Sequence, residues 1–423
     1  MERRTFLVRT GQTVVCALAG CATKSGLPAE QRQSQDSSNT LEQRVATVIQ
    51  AYDAQGNHRT GTEVDRKSGE WLTEEVRQLG VESSLEPFAL SRVDPQSCYV
   101  HIGNRRIDGV PLFDAGFTDG EGVRGKLGVG PDAEIRLLET GPLPLARPGA
   151  EHRGPISEAR RGAHKAVILV AGGSRPGLFL INALAFRNPS GPPMLQISNT
   201  EIEWLRQQSQ SRAEATVVTQ VKRTPAQAFN VTARITGSNS KLAPLVFMAA
   251  RSAWWQCVTE QGSRLACWLE VMRVLAASKP TRDCLFVALS GHELGELGMD
   301  AYIENRQDLL RDAHAWIFFG SGIGTPRKPN LIHTSDAALE KWVVKALEQE
   351  GIGVDAREQH NATARAEMGP VQRKSGRFVT LVCDSDVYHS VADRWPEAVD
   401  VALLGRYAKA FANGALQLAR EGA

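Results

Sequence analysis

The stretch Ser290-Gly-His-Glu-Leu-Gly-Glu-Leu-Gly298 sets an imidazole beside a carboxylate directly after Cys284-Leu-Phe-Val-Ala-Leu289, an apolar run that reads as a buried strand. A histidine and a glutamate at the mouth of such a strand are the groups a metalloenzyme uses as base and ligand. Two other chemistries fit the spacing poorly. His292-Glu-Leu-Gly-Glu296 opens like the two-histidine zinc helix but ends in Glu296, and Gly295 and Gly298 weaken the helix that motif needs. A serine nucleophile elbow needs glycine two residues before the serine, and Ala288 stands there before Ser290.

The elements that would position these residues alternate in type. From Phe229 onward, Asn230–Ile235, Pro244–Met248, Cys284–Leu289, Ala315–Phe319 and Phe378–Val382 read as strands. Between them, Leu265, Leu269, Met272 and Leu275 recur at helical spacing, Ala337–Glu350 reads as a helix, and Pro396–Glu421 as a long terminal one. This alternation predicts an α/β fold, a doubly wound mixed sheet. Leu41–Ala51 and Gly69–Leu79 have helical spacing around the turn-rich Gly56-Asn-His-Arg-Thr-Gly61. Between about Leu85 and Val221 short apolar runs are broken by glycine and proline, which predicts a small inserted β-rich module.

The N-terminus predicts export. Arg3-Arg4 precedes a short apolar segment, Thr13–Gly20, that ends at Cys21 and is far shorter than the roughly 20 residues a bilayer span needs. The arginine pair resembles a twin-arginine signal, and Leu18-Ala-Gly-Cys21 resembles a bacterial lipobox, which would leave Cys21 acylated and the protein anchored to the cell envelope. Residues 1–21 are then the signal, and the polar stretch 22–40 a tether. With Cys16 removed and Cys21 lipidated, five of the seven cysteines remain, scattered as buried free thiols would be. The 423 residues are 42% apolar and carry a net charge of +2 from interspersed acids and bases, so the chain can bury a large core and advertises no nucleic-acid surface.

Five ordered motifs carry a resemblance: Asn230-Val-Thr-Ala-Arg234, the strand Leu245–Ala249, Gly262–Glu270, Phe286–Gly295 and Tyr388-His-Ser-Val-Ala-Asp393. In this order they resemble the di-zinc aminopeptidase superfamily, which also contains glutamate carboxypeptidase, glutaminyl cyclase and the transferrin receptor. The resemblance covers residues 41–94 and 223–423, and the insert, 95–222, is similar to a protease-associated domain.

The resemblance implies a ligand set. Two zinc ions that share a bridging carboxylate need about five protein side chains. Ala250 falls at the first histidine, Ser252 at its orienting aspartate and Gly320 at a later aspartate, so the first zinc's own ligands are lost. Glu260 falls at the bridging aspartate, His292 at the usual general base, Glu293 at the paired ligand carboxylate and His389 at the late histidine. The trio Glu260, Glu293 and His389 would hold one zinc, as the corresponding positions of glutaminyl cyclase do, with His292 as the catalytic group. Taken one by one the residues have plainer readings: Glu293 as a helix cap, His389 as a hydrogen-bonded core histidine, Glu260 as a solvated loop carboxylate. Arg251, Ser252, Trp254 and Trp255 could line a repurposed cleft, with Arg251 supplying a positive charge where zinc sat and Gly320–Gly324 forming a flexible loop. The tryptophans could equally fill volume the metal shell left. The expectation is thus an exported aminopeptidase-like protein with at most a mononuclear zinc site acting on peptides, or a non-catalytic envelope protein that binds a peptide or small molecule with no metal.

Overall fold

The computed structural model describes residues 40–142, 150–173, 175–326 and 329–421. The expected export signal, Cys21 and the expected tether up to residue 39 lie outside the described residues. Two helices come first, α1 (Leu41–Asp53) and α2 (Glu63–Gln78); α2 starts at Thr62, whose hydroxyl accepts from the Asp65 amide. A β-rich stretch follows: β1 (Ser83–Ile102), β2 (Arg105–Asp108), β3 (Val110–Pro111), β4 (Val123–Gly128), β5 (Ile135–Pro142), α3 (Ala150–Arg161), β6 (Ala166–Gly172), β7 (Met194–Ile197), α4 (Ile202–Gln210) and β8 (Glu214–Ile235). The alternating part comprises β9 (Leu245–Ala250), α5 (Ser263–Ser278), β10 (Cys284–Leu289), α6 (Leu297–Ile303), α7 (Leu309–Asp312), β11 (Ala315–Phe319), β12 (Asn330–Thr334), α8 (Ala337–Gln349), β13 (Ala356–Arg357), α9 (Met368–Arg373), β14 (Phe378–Cys383) and α10 (Val401–Arg420).

Among the described residues the strands form one mixed sheet in the order β13, β12, β14, β11, β9, β10, β8, β4, β5, β6, β7, β3, with β1 on β8 and β2 on β1. β14, β11, β9 and β10 are parallel neighbours, flanked by antiparallel β12 and β8. Every residue of β9, β11 and β14 is buried, as strands covered on both faces must be. Alternate side chains of β9 serve opposite layers: Phe247 belongs to one apolar cluster with Trp268 of α5 and Phe411 of α10, while Met248 belongs to another with Met299 of α6 and Val371 of α9. The terminal helix begins at Val401, later than its pattern suggested, because the Asp400 carboxylate caps the Leu403 amide.

The expected β-rich stretch also contains α3 and α4, and its two bounding strands are long. β1 and β8 pair antiparallel from Ser83↔Ala233 to Ile102↔Ala215, and the end of β8 pairs in turn with β10. The described residues from Leu41 onward make one compact unit. Within it, Val100, Ile168, Leu195 and Val217 form an apolar cluster of their own beside the main core. The five cysteines expected to be free are free and buried. No helix among the described residues is long and apolar enough to cross a membrane.

The chain leaves β9 for β10 on one side and later returns to β11 on the other, a topological switch point of the kind at which open α/β sheets place a crevice at the C-terminal ends of their strands. Residues 251–255, 290–295 and 320–324 follow those three ends.

Candidate functional site

After β10 the chain turns through Gly291 (φ 88°) into one tight turn, His292–Leu294, closed by Gly295 (φ 74°) and Glu296 (φ 62°). This backbone replaces the continuous helix a zinc-helix motif would need, and the two side chains reach different partners. Both oxygens of Glu293 are taken. Oε1 accepts from the Thr60 amide (2.8 Å) and hydroxyl (2.7 Å), and Oε2 accepts from the Ser252 hydroxyl (2.6 Å). Ser252 Oγ in turn accepts from the amides of Gly291 (2.7 Å) and His292 (3.3 Å). Burial pushes the Glu293 carboxyl above its usual range, against the bonds from Ser252 and Thr60.

His292 turns the other way. Its Nδ1 lies 2.8 Å from Glu367 Oε1 and its Nε2 faces Glu260 Oε1 at 3.9 Å. His389 Nδ1 donates to the Leu180 carbonyl (2.7 Å), which fixes that nitrogen as the protonated one, and its Nε2 lies 3.2 Å from the same Glu260 oxygen. His389 holds a left-handed backbone (φ 60°), strain of a kind that clusters at functional sites. Glu260 sits in a wide turn, Val258–Gly262, whose amides at Thr259 and Glu260 donate to Asp393. Burial raises the Glu260 carboxyl, but His389, His292 and Arg264 outweigh it and hold it at about 2. Burial likewise disfavours the charged His292, and the Glu367 carboxylate outweighs that and raises its pKa. Four buried atoms here have no hydrogen-bond partner: Glu260 Oε2, His292 Nε2, His389 Nε2 and Glu367 Oε2.

The remaining sequence candidates fall outside this cluster. Arg251 does not point where a zinc would sit. Its guanidinium runs under α2 to Asp65 (3.0 Å) and to the carbonyls of Asp65 and Phe229, fully buried. Trp254 donates to Asn182 and Trp255 to the His389 carbonyl. Gly320–Thr325 is packed along its length, in contrast to the flexible loop expected. A Cβ on Gly320 would come within 2.0 Å of the Leu381 carbonyl, so no side chain fits there without backbone movement. Thr60, Asp65, Leu180 and Glu367 were missed as partners of the site. Thr60 sat in a stretch read only as a turn, and the others belong to no motif.

Two zinc ions do not fit these residues, since Ala250 offers no donor atom and Gly320 neither offers nor admits one. For one ion, the unpartnered atoms are Glu260 Oε2, His292 Nε2, His389 Nε2 and Glu367 Oε2, whereas Glu293 of the expected trio is already engaged. Among the described residues, no group of three or more His, Cys, Asp or Glu side chains is placed to hold a metal as it stands. His292 Nε2 lies 3.9 Å from Glu260 Oε1, farther than the roughly 3.3 Å between two donors on one tetrahedral zinc.

The model of peptidase family M28 matches residues 230–415. No curated protein matches the sequence significantly. Among solved structures, a zinc aminopeptidase from Bacillus subtilis is similar over 90% of this chain and 96% of its own, at 17% identity and a TM-score of 0.73. A peptidase M28 precursor from Shewanella amazonensis is similar over 93% and 96%, at 16% identity and 0.73. A glutaminyl cyclase from Porphyromonas gingivalis is similar over 90% and 100%, at 11% identity and 0.51. Residues 230–415 thus match the peptidase family M28 model, and the mixed sheet with its flanking helices has the fold of the zinc aminopeptidase structures.

Proposed function

We propose that this protein is an exported, lipid-anchored envelope protein that uses the peptidase scaffold for binding and not for hydrolysis. One observation carries the reading: the Glu293 carboxylate, which the resemblance assigns to a zinc, is held on both oxygens by Thr60 and Ser252. A carboxylate that already accepts three short hydrogen bonds in a buried site gains little from turning to a cation. The bound species is a peptide or small molecule, and the anchor is an acyl group on Cys21 at the end of the export signal. The insert, 95–222, is a protease-associated-like module in this reading. The test is turnover of aminoacyl-nitroanilides and of N-terminal glutaminyl peptides with zinc supplied, for the parent and for Glu260→Gln and His389→Ala. The proposal expects no rate above either variant, and a parent rate that both variants abolish would reject it.

A second reading is favoured by three of the four buried atoms without partners, Glu260 Oε2, His292 Nε2 and His389 Nε2. In that reading these three would hold one zinc, with Glu367 and the Leu180 carbonyl orienting the two imidazoles. A zinc so bound would supply an acidified water. In that case His292 is a ligand, not the general base that the sequence suggested.

A further inference from the structure

The segment Leu178–Phe186, in the connection from β6 to β7, lies across the crevice. Leu180 and His389 form a two-way pair: the Leu180 amide donates to the His389 carbonyl (3.2 Å), and the His389 imidazole donates to the Leu180 carbonyl (2.7 Å). Phe179 and Ser390 form an antiparallel bridge beside them. Three residues on, the Ala183 amide donates to the carbonyl of Glu293 (2.8 Å), and Asn182 accepts from the Trp254 indole (2.9 Å). The buried side chains of Leu180, Ala183 and Phe186 close an apolar cluster with Trp254, Leu294 and Leu297. Leu184, in contrast, is 42% exposed.

The turn after β10 is shaped to receive this segment. A Cβ on Gly295 would sit 2.6 Å from the Leu184 carbonyl, so the glycine in His292-Glu-Leu-Gly295 permits the approach as well as the turn. The segment is tied to the β-rich module at its base. The Ile181 amide donates to Gln196 and the Ala185 amide to Asp114, whose carboxylate also pairs with Arg160. Up to Ala183 the segment pairs its backbone with the residues around His389 and Glu293 and buries Phe179, Leu180 and Ile181 in succession, and from Ala183 it turns through Phe186; backbone pairing of this kind is how a peptide is held in a strand-addition groove.

We propose that Leu178–Phe186 is a built-in occupant of the crevice, an apolar peptide segment that the module lays against His389, Glu293 and Trp254. Removing it exposes a groove that takes an apolar peptide, and the native segment blocks that groove in the intact chain. The inference does not depend on whether the site is catalytic.

The test replaces residues 178–186 with a glycine-serine linker of equal length and titrates parent and variant with the synthetic peptide of residues 177–187. The proposal expects saturable binding to the folded variant, at least roughly tenfold tighter than to the parent. Equal binding to both, or none to a variant with a cooperative unfolding transition, would overturn it. If the linker variant does not fold, hydrogen exchange of the full chain carrying Leu180→Gly decides the matter. Exchange of 292–295 and 387–390 should then rise roughly tenfold while β9 and β11 stay protected, and unchanged exchange in those two stretches would overturn the proposal. Peptide hydrolysis appearing in the linker variant would refute the non-catalytic reading and leave the occupant in place.

Discussion

Ser252→Ala removes a hydroxyl that, like that of Thr60, serves both Glu293 and the turn after β10. The parent bond to Glu293 Oε2 is 2.6 Å long and buried, and a hydrogen bond to such a carboxylate contributes about 1.5–3 kcal/mol. Its loss also leaves Oε2 without a donor. The Gly291 amide keeps the Thr60 hydroxyl at 2.9 Å, so the turn itself loses little, and the total comes to about 3 kcal/mol. At roughly 2 °C per kcal/mol for a chain of this size, the melting midpoint should fall by roughly 6 °C. Glu293→Gln keeps an acceptor for Thr60 and should cost less. In a double-mutant cycle by urea unfolding, Ser252→Ala and Glu293→Gln should couple by about 1–2 kcal/mol. A Ser252→Ala protein within about 0.5 kcal/mol of the parent, or a coupling below that, would refute the claim that Glu293 is held by hydroxyl groups.

Three further outcomes follow from the same geometry. Gly320→Asp should lower the midpoint sharply, with an overpacking cost of about 3 kcal/mol, and restore no zinc site, because a Cβ there meets the Leu381 carbonyl at 2.0 Å; thermal melts and metal analysis check both parts. Arg251→Met strips the buried Asp65 of its guanidinium and should cost about 3–5 kcal/mol in urea unfolding, with part of the loss recovered when Asp65→Asn is added. His58, buried and stacked on Tyr52, has its pKa lowered to about 3, first by burial and further by Arg251. The unfolded chain takes up this proton below about pH 6.5 and the folded one does not, so the stability is present above that pH and is lost as pH falls toward 3, at up to about 1.4 kcal/mol per pH unit. His58→Gln should flatten that acid limb in pH-dependent urea melts.

Much of the scaffold was legible because its signals are local. β9, β11 and β14 are continuous apolar runs, and α8 shows one buried face, so length and spacing sufficed. The ribbon of β1 and β8 was not legible, because Pro87, Pro95 and Pro225 argue against strands. They are tolerated where the ribbon has a free edge: β1 pairs with β2 only beyond Tyr99, β8 pairs with β10 only beyond Val231, and the register shifts between Pro95 and Ser97. At the site, the motifs located Glu260, His292, Glu293 and His389 in one crevice but did not reveal which atoms meet. Thr60 reaches Glu293 across 233 positions and Leu180 reaches His389 across 209, separations at which no periodicity operates. His292 pairs with Glu367, a residue in no motif, for the same reason.

The most direct test of the account is zinc content of the purified protein after zinc exposure and dialysis, beside Glu293→Gln, His292→Ala and His389→Ala. The account predicts no zinc above background in the parent or in any variant. Close to one zinc per chain, lost in His292→Ala and His389→Ala, would contradict it and assign the crevice to a metal.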